Sequence, residues 1–238
     1  MKRPEILTAS DQIEDDLKNA ILRGELKLGE KLPTEEELAE VYGVSRPTVR
    51  AALKSLEEKG ILRPRKGCQG GWFVRSRNKD QVAAYLGSYM TMLLNSNELT
   101  SVQLWEIRSI VEVKACGLAA VRRKPEDLQA IAAALPVDYK NLSDYEYHSK
   151  DIEFHRRVAE ATQNPLLVIT INATTMVQEL YAMTIPAPDK IRQELNNNLL
   201  QIYQAIVEQN VVQAEKAMAE HLSYYKRMAG GVSFSKTE

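Results

Sequence analysis

His155 shares the inward face of one helical segment with Ile152, Val158 and Ala159, and His221 shares that of another with Ala214, Met218, Leu222 and Tyr225. Two histidines turned toward one core, with the acids Glu112 and Asp151 in the neighbouring pattern, have the chemistry of a divalent-metal site. Imidazole and carboxylate together suit zinc, nickel or manganese. The same residues also satisfy one another without an ion, as core histidines hydrogen-bonded to Glu112, Asp151 or tyrosines. Arg108 stands one turn before Glu112. A buried arginine is costly unless paired, so it either holds Glu112 or meets an anionic effector, with Tyr225 a further candidate contact.

A second constellation is cationic. Arg46, Arg50 and Lys54 recur every four residues and form one stripe beside the apolar positions Val49, Ala52, Leu53 and Leu56. Arginine near the start of such a helix suits a bidentate contact to guanine O6 and N7. Ser45 and Thr48 at the same end are placed to donate to phosphates. From Arg63 to Lys79 there are six basic residues and no acidic one, around the stretch Arg65-Lys66-Gly67-Cys68-Gln69-Gly70-Gly71. Arg65, Lys66 and Gly67 there suit close approach to a minor groove or a phosphate backbone, because absent side chains permit it. A solvated charged surface is the commoner meaning of any one such stripe. The capped turn before it and the hairpin after it favour double-stranded DNA.

Those groups need elements to hold them. Helical periodicity opens after Ser10, a candidate N-cap, with Ile13, Leu17 and Ile21 on one face, and stops at Gly24, after which Leu26–Pro33 carries turn residues. Thr34 and Glu37 form a capping box for a short helix ending at Gly43. Ser45 caps the next helix, which Gly60 ends. Two short helices around a tight glycine turn are a helix-turn-helix, and the strand candidates Ile61–Arg63 and Trp72–Val74 after it make a wing. Residues Arg75–Asp80 read as a polar linker. Beyond it every periodic segment is helical, near 80–95, 98–122, 125–135, 142–163, 165–184, 188–209 and 211–228, with prolines at several boundaries. The tail from Gly230 reads as frayed. The expected fold is mainly α: residues 1–76 as a three-helix winged helix-turn-helix, and 77–238 as an antiparallel bundle of about seven helices.

Composition sets the outer limits. The chain has 238 residues, 44% hydrophobic and 26% charged, with a net charge of −1. No apolar run approaches the roughly 20 residues a membrane span needs, and the acidic start lacks a signal peptide's apolar stretch. Two cysteines, Cys68 and Cys116, are too few for a disulfide framework or a four-thiolate zinc site. The chain reads as cytoplasmic, with no membrane partner.

The stretch Ile21-Leu22-Arg23-Gly24-Glu25-Leu26-Lys27-Leu28-Gly29, with Leu32-Pro33-Thr34-Glu35-Glu36-Glu37-Leu38-Ala39, resembles the start of a GntR-family regulator. So does Gly43-Val44-Ser45-Arg46-Pro47-Thr48-Val49-Arg50, running on to Leu56-Glu57-Glu58-Lys59-Gly60-Ile61-Leu62. The second part is similar to the all-helical ligand-binding domain, the FCD domain, of the FadR subfamily. Its signals are Glu106-Ile107-Arg108 with Glu112, Asp151-Ile152-Glu153-Phe154-His155, Asn164-Pro165 and His221-Leu222. The resemblance spans most of residues 10–226.

That resemblance implies a homodimeric, ligand-responsive regulator, of the repressor type, for a metabolic operon. It would bind an inverted-repeat DNA operator and sense a small organic acid or an acyl-coenzyme A. Arg46 and Arg50 would read DNA, with Thr34 and Glu36 at the preceding helix start. Glu36 departs from relatives that carry arginine there, which bears on the operator sequence. Relatives commonly hold a metal with three histidines and an acid. By the resemblance His155 and His221 match two of them, with Glu112 favoured over Asp151 as the acid. The third histidine position falls on Leu199, which cannot ligate, so occupied and metal-free sites both stay open. A metal-dependent enzyme with an all-helical domain is the competing class. No G-x-S-x-G, H-E-x-x-H or P-loop motif supports it.

Overall fold

A computed structural model describes residues 7–76, 78–182 and 186–229, without the side chains of 181–182 and 225–229. The Tyr225 side chain and the tail from Gly230 therefore lie outside the described residues. The chain forms two compact units, Met1–Arg77 and Asn78–Glu238.

The first unit holds α1 (Ala9–Leu22), α2 (Glu35–Tyr42), α3 (Arg46–Glu58), β1 (Leu62–Arg65) and β2 (Gly71–Val74). The cap of α1 is Thr8, not Ser10. The Thr8 hydroxyl accepts from the Asp11 amide at 3.2 Å and the Asp11 carboxylate accepts from the Thr8 amide at 2.9 Å, a reciprocal box that Ser10 has no acid to close. Thr34 and Glu37 form the expected box on α2, and Gly43 closes it at φ +63°, a left-handed conformation suited to glycine. Ser45 occupies the N-cap position of α3, but its hydroxyl makes no cap bond. Pro47 has no N–H to offer and the Thr48 amide donates to the Ser45 carbonyl, so the Ser45 hydroxyl pairs with that of Thr48 at 2.8 Å. Ile13, Leu17, Leu38, Val49, Leu53, Leu56, Leu62 and Val74 form one buried core beneath these elements.

The wing strands pair antiparallel, Leu62 opposite Val74 and Arg65 opposite Gly71, one residue off the expected start because Ile61 still bonds the end of α3. Residues 29–32, which read as turn, also pair with the wing. The Gly29 amide donates to the Val74 carbonyl, Val74 donates back to Glu30, and Leu32 donates to Trp72 at 2.8 Å. The wing is anchored on both sides of β2.

The second unit has seven helices among the described residues: α4 (Lys79–Asn95), α5 (Ser101–Arg122), α6 (Pro125–Ala134), α7 (Asp144–Ala161), α8 (Pro165–Ala182), α9 (Asp189–Val207) and α10 (Val211–Ala229). Asn78 and Gln81 cap α4, so the helix begins inside the expected linker. Helix α5 is central and packs on α7, α8, α9 and α10. Cys116, Ala119, Phe154, Val158, Leu195, Leu199, Ile202, Met218 and Leu222 make the apolar core. Two arginines at the end of α5 finish two other helices: Arg122 donates to the Thr162 carbonyl after α7, and Arg123 to Ile206 and Val207 of α9. Cations at the last carbonyls of a helix satisfy both hydrogen bonding and the helix dipole. No helix among the described residues is long and apolar enough to cross a membrane.

Candidate functional site

On α3 the stripe is displayed as its spacing requires. Arg46, Arg50 and Lys54 are exposed, while Val49, Ala52, Leu53 and Leu56 on the other face are completely buried. The burial is what fixes the helix. The cations lie outside that apolar packing. The structure adds carboxylates that were not foreseen as their partners. Arg50 grips Glu35, with Nε 2.9 Å and Nη2 2.6 Å from the same oxygen, Oε2. Trp72 of the wing donates its indole N–H to the other oxygen at 3.3 Å. The Arg50 hydrogen bond holds the Glu35 carboxyl below its usual range. Glu36 faces Arg46 at 3.9 Å, with both side chains exposed. Arg65 lies over the Phe73 ring, its guanidinium carbon 4.2 Å from the centroid, so it is held by stacking while Lys66 and Gly67 stay exposed at the turn.

In the second unit, α5, α7 and α10 bring the other predicted residues together. Arg108, Glu112, Asp151, His155 and His221 are all at most 2% exposed. His155 Nε2 and His221 Nε2 are 3.1 Å apart. Asp151 sits one turn before His155 and lies 3.3 Å from His221 Nε2 and 3.8 Å from His155 Nε2. Glu112 is on the other side of His155, 2.5 Å from Nδ1. It therefore orients the imidazole and does not join the cluster. Among the described residues, the group able to hold an ion is Asp151, His155 and His221, whose donor atoms all lie within 4.8 Å of one another. This corrects the expectation that Glu112 would be the acid. The reason is the ring: His155 has two nitrogens, and Glu112 takes the one facing away from His221.

Electrostatics agree with that division. Burial pushes the Glu112 carboxyl up, but Arg108 and His155 outweigh it and hold it at about 2. Burial likewise opposes the Asp151 charge, and the facing imidazoles, His221 foremost, outweigh it. Burial lowers His221 despite Asp151 beside it. An ionised carboxylate and a neutral imidazole are the forms that bind metal. Among the described residues neither buried Asp151 oxygen has a hydrogen bond of good geometry; the carboxylate is paired in charge with His221 at 3.3 Å and keeps lone pairs for a ligand. The donor set fits a divalent ion, and Glu112 on Nδ1 is the outer partner that fixes a ligand's ring. Arg108 pairs with Glu112 through Nε at 2.5 Å and Nη2 at 3.3 Å, and its buried Nη1 has no hydrogen bond among the described residues.

Comparison with known proteins matches these two halves to two family models. Residues 9–74 match "Bacterial regulatory proteins, gntR family", and residues 103–224 match the FCD domain. The HTH-type transcriptional regulator LutR of Bacillus subtilis (strain 168) is 32% identical over 220 residues, covering 89% of this chain and 96% of its own. The chain belongs to the GntR family. The HTH-type transcriptional repressor NanR of Enterobacter sp. (strain 638) is 29% identical, with 90% of this chain and 82% of NanR covered. Among solved structures, Streptococcus agalactiae GntR superposes with a TM-score of 0.60 at 26% identity, over 92% of this chain and 99% of that one.

In this GntR regulator the first unit is thus the DNA-binding domain and the second the FCD domain, with the histidine cluster inside it. Leu199 is completely buried in the core shared by Phe154 and Leu222, the neighbours of the two histidines. Sequence reasoning missed His148, which is buried and precedes Asp151 by one turn on the same face of α7. Its spacing of three and seven residues from Asp151 and His155 was a usable signal. It also missed the α2 partners of the arginines, which no periodicity marks.

Proposed function

We propose that this chain is an effector-responsive transcriptional regulator, of the repressor type, that binds an inverted-repeat operator as a homodimer in the cytoplasm. The observation that carries the reading is the exposed row Arg46, Arg50 and Lys54 on a helix sealed on its other face, beside a doubly anchored wing. Thr34, Ser45 and Thr48 stand at the helix starts as phosphate contacts, Glu36 beside Arg46 tunes the site, and Lys66 and Gly67 follow the backbone with Arg65. NanR's own name as a repressor supports the sign of regulation. In the FCD domain the free Nη1 of Arg108 is the donor for an organic-acid or acyl-coenzyme A effector, and Tyr225 is a second contact. Fluorescence anisotropy on a duplex from the protein's own promoter region, titrated with a panel of organic acids and acyl-coenzyme A esters, tests this. Tight binding that one compound reverses is the expected outcome. Binding that no compound alters, at any sequence, sinks the effector half.

Asp151, His155 and His221 would hold a divalent ion, zinc, nickel or manganese, with Glu112 fixing the His155 ring. When bound, such an ion supplies a Lewis-acidic anchor for an effector carboxylate. Three donors where relatives have four make a weak site. Protein purified without a histidine tag should carry less than one equivalent of metal, and a chelator should remove it readily. Leu199→His adds an imidazole and should raise retention measured by elemental analysis. Failure of both proteins to take up zinc, nickel or manganese would leave a metal-free pocket in which Arg108 and Tyr225 hold the anion.

A further inference from the structure

Glu35 is the first residue of α2, at a helix N-terminus where a carboxylate is favoured, and its side chain is only 20% exposed against 60% for Arg50. Its two oxygens collect three donors: Arg50 Nε and Nη2, and the Trp72 indole N–H. Those donors come from the helix that carries the cationic stripe and from the second wing strand. A guanidinium has five N–H groups in a planar fork. Here the side-on pair, Nε–H and one Nη2–H, is committed to Glu35. What remains outward is the end-on pair, Nη1–H and the second Nη2–H, and no other described residue takes it. A free arginine on an exposed helix face samples many rotamers and both edges. This one is fixed in a single orientation with one edge on offer.

We propose that Glu35 is a positioning residue for sequence recognition: it presents the end-on edge of Arg50 to a guanine and, through Trp72, sets the wing against the same arginine. A carboxylate so near DNA phosphates is otherwise unfavourable, because it repels the backbone at every sequence alike. Its benefit is confined to the site where Arg50 finds two acceptors in the right plane. Glu35 thus lowers affinity for DNA in general and raises discrimination. Glu36 differs, since its pair with Arg46 is loose and solvated at 3.9 Å and leaves that arginine free to turn.

The inference rests on the proposed reading of α3 as the recognition helix, and the experiment separates the two. The specific probe is the duplex that the wild-type chain selects most strongly from a random-sequence library; the non-specific probe is an unrelated duplex of equal length. Glu35→Gln keeps the side-chain length and removes the charge. It should tighten non-specific binding and lower the ratio of specific to non-specific affinity by about tenfold, the scale of one bidentate guanine contact. Trp72→Phe keeps the ring and loses the indole donor, and should lower the ratio by roughly a few fold. In an Arg50→Ala background Glu35→Gln should change the ratio by less than about twofold, because the positioned group is gone. If Glu35→Gln raises both affinities equally, Glu35 is only a repulsive surface charge. An equal loss with and without Arg50 means that it acts through something else. If Arg50→Ala itself leaves binding unchanged, the recognition-helix reading fails first.

Discussion

Arg108→Ala should cost about 3–5 kcal/mol of stability in the FCD domain, the scale for removing one member of a buried ion pair. The size follows from what is left behind. Glu112 is 2% exposed, and Arg108 contributes two of its contacts, at 2.5 and 3.3 Å. Without Arg108 the carboxylate keeps, among the described residues, only His155 at 2.5 Å. Arg108 also lies over the Trp105 ring, 4.7 Å from its centroid, so its loss opens space beneath an aromatic. Trp105 is then a local reporter, and its fluorescence in a Trp72→Phe background follows urea unfolding of this domain alone. The double variant Arg108→Met/Glu112→Gln removes both charges together and should recover most of the loss, since no buried ion is stranded. Equal losses in the single and double variants would mean that packing, not charge pairing, holds this region. A loss of under about 1 kcal/mol in the single variant would place Arg108 outside the structural framework.

That coupling also explains which parts of the site were legible in the sequence. Caps, the apolar faces of α3 and α7, and the row Arg46, Arg50 and Lys54 are local: each depends on residues within two helical turns. They emerge from spacing alone. The cap of α1 was displaced to Thr8 because Asp11 three residues on completes a reciprocal box there. The choice between Glu112 and Asp151 was not legible. Both acids reach His155, and which one meets Nδ1 depends on a side-chain rotation set by packing between α5, α7 and α10. For the same reason, residues 29–32 read as turn. Their pairing partners, Trp72 and Val74, lie some forty residues away in the chain, and the hydrogen bonds that order them are made only in the folded unit. The Glu35–Arg50 pair bridges two helices and was invisible to a helix-by-helix reading. Buried polar atoms without partners among the described residues, such as the amide of Gln178 and Oδ1 of Asn196, are likewise a property of tertiary structure.

Along α3 the cations should not be equivalent on DNA. Arg46 is the first residue of the helix and the one nearest a groove if the N-terminal end enters it, as in the helix-turn-helix docking mode. Arg46→Ala should cost about 1–3 kcal/mol on the specific duplex and much less on unrelated sequence. Its partner Glu36 at 3.9 Å offers little resistance, because an exposed ion pair contributes about 0–1 kcal/mol and is exchanged for a base contact. Lys54 stands two turns further along, exposed and with no base-reading fork. A point charge there suits phosphate. Lys54→Ala should weaken specific and non-specific duplexes alike and flatten the plot of log affinity against log salt by about one unit. Anisotropy titrations at several salt concentrations measure both quantities on the same samples. The diagnostic result is a crossed pattern, with discrimination lost at Arg46 and salt slope lost at Lys54. The reverse pattern would mean that the C-terminal part of α3 lies in the groove, and parallel losses at both positions would mean that the stripe binds the backbone along its whole length.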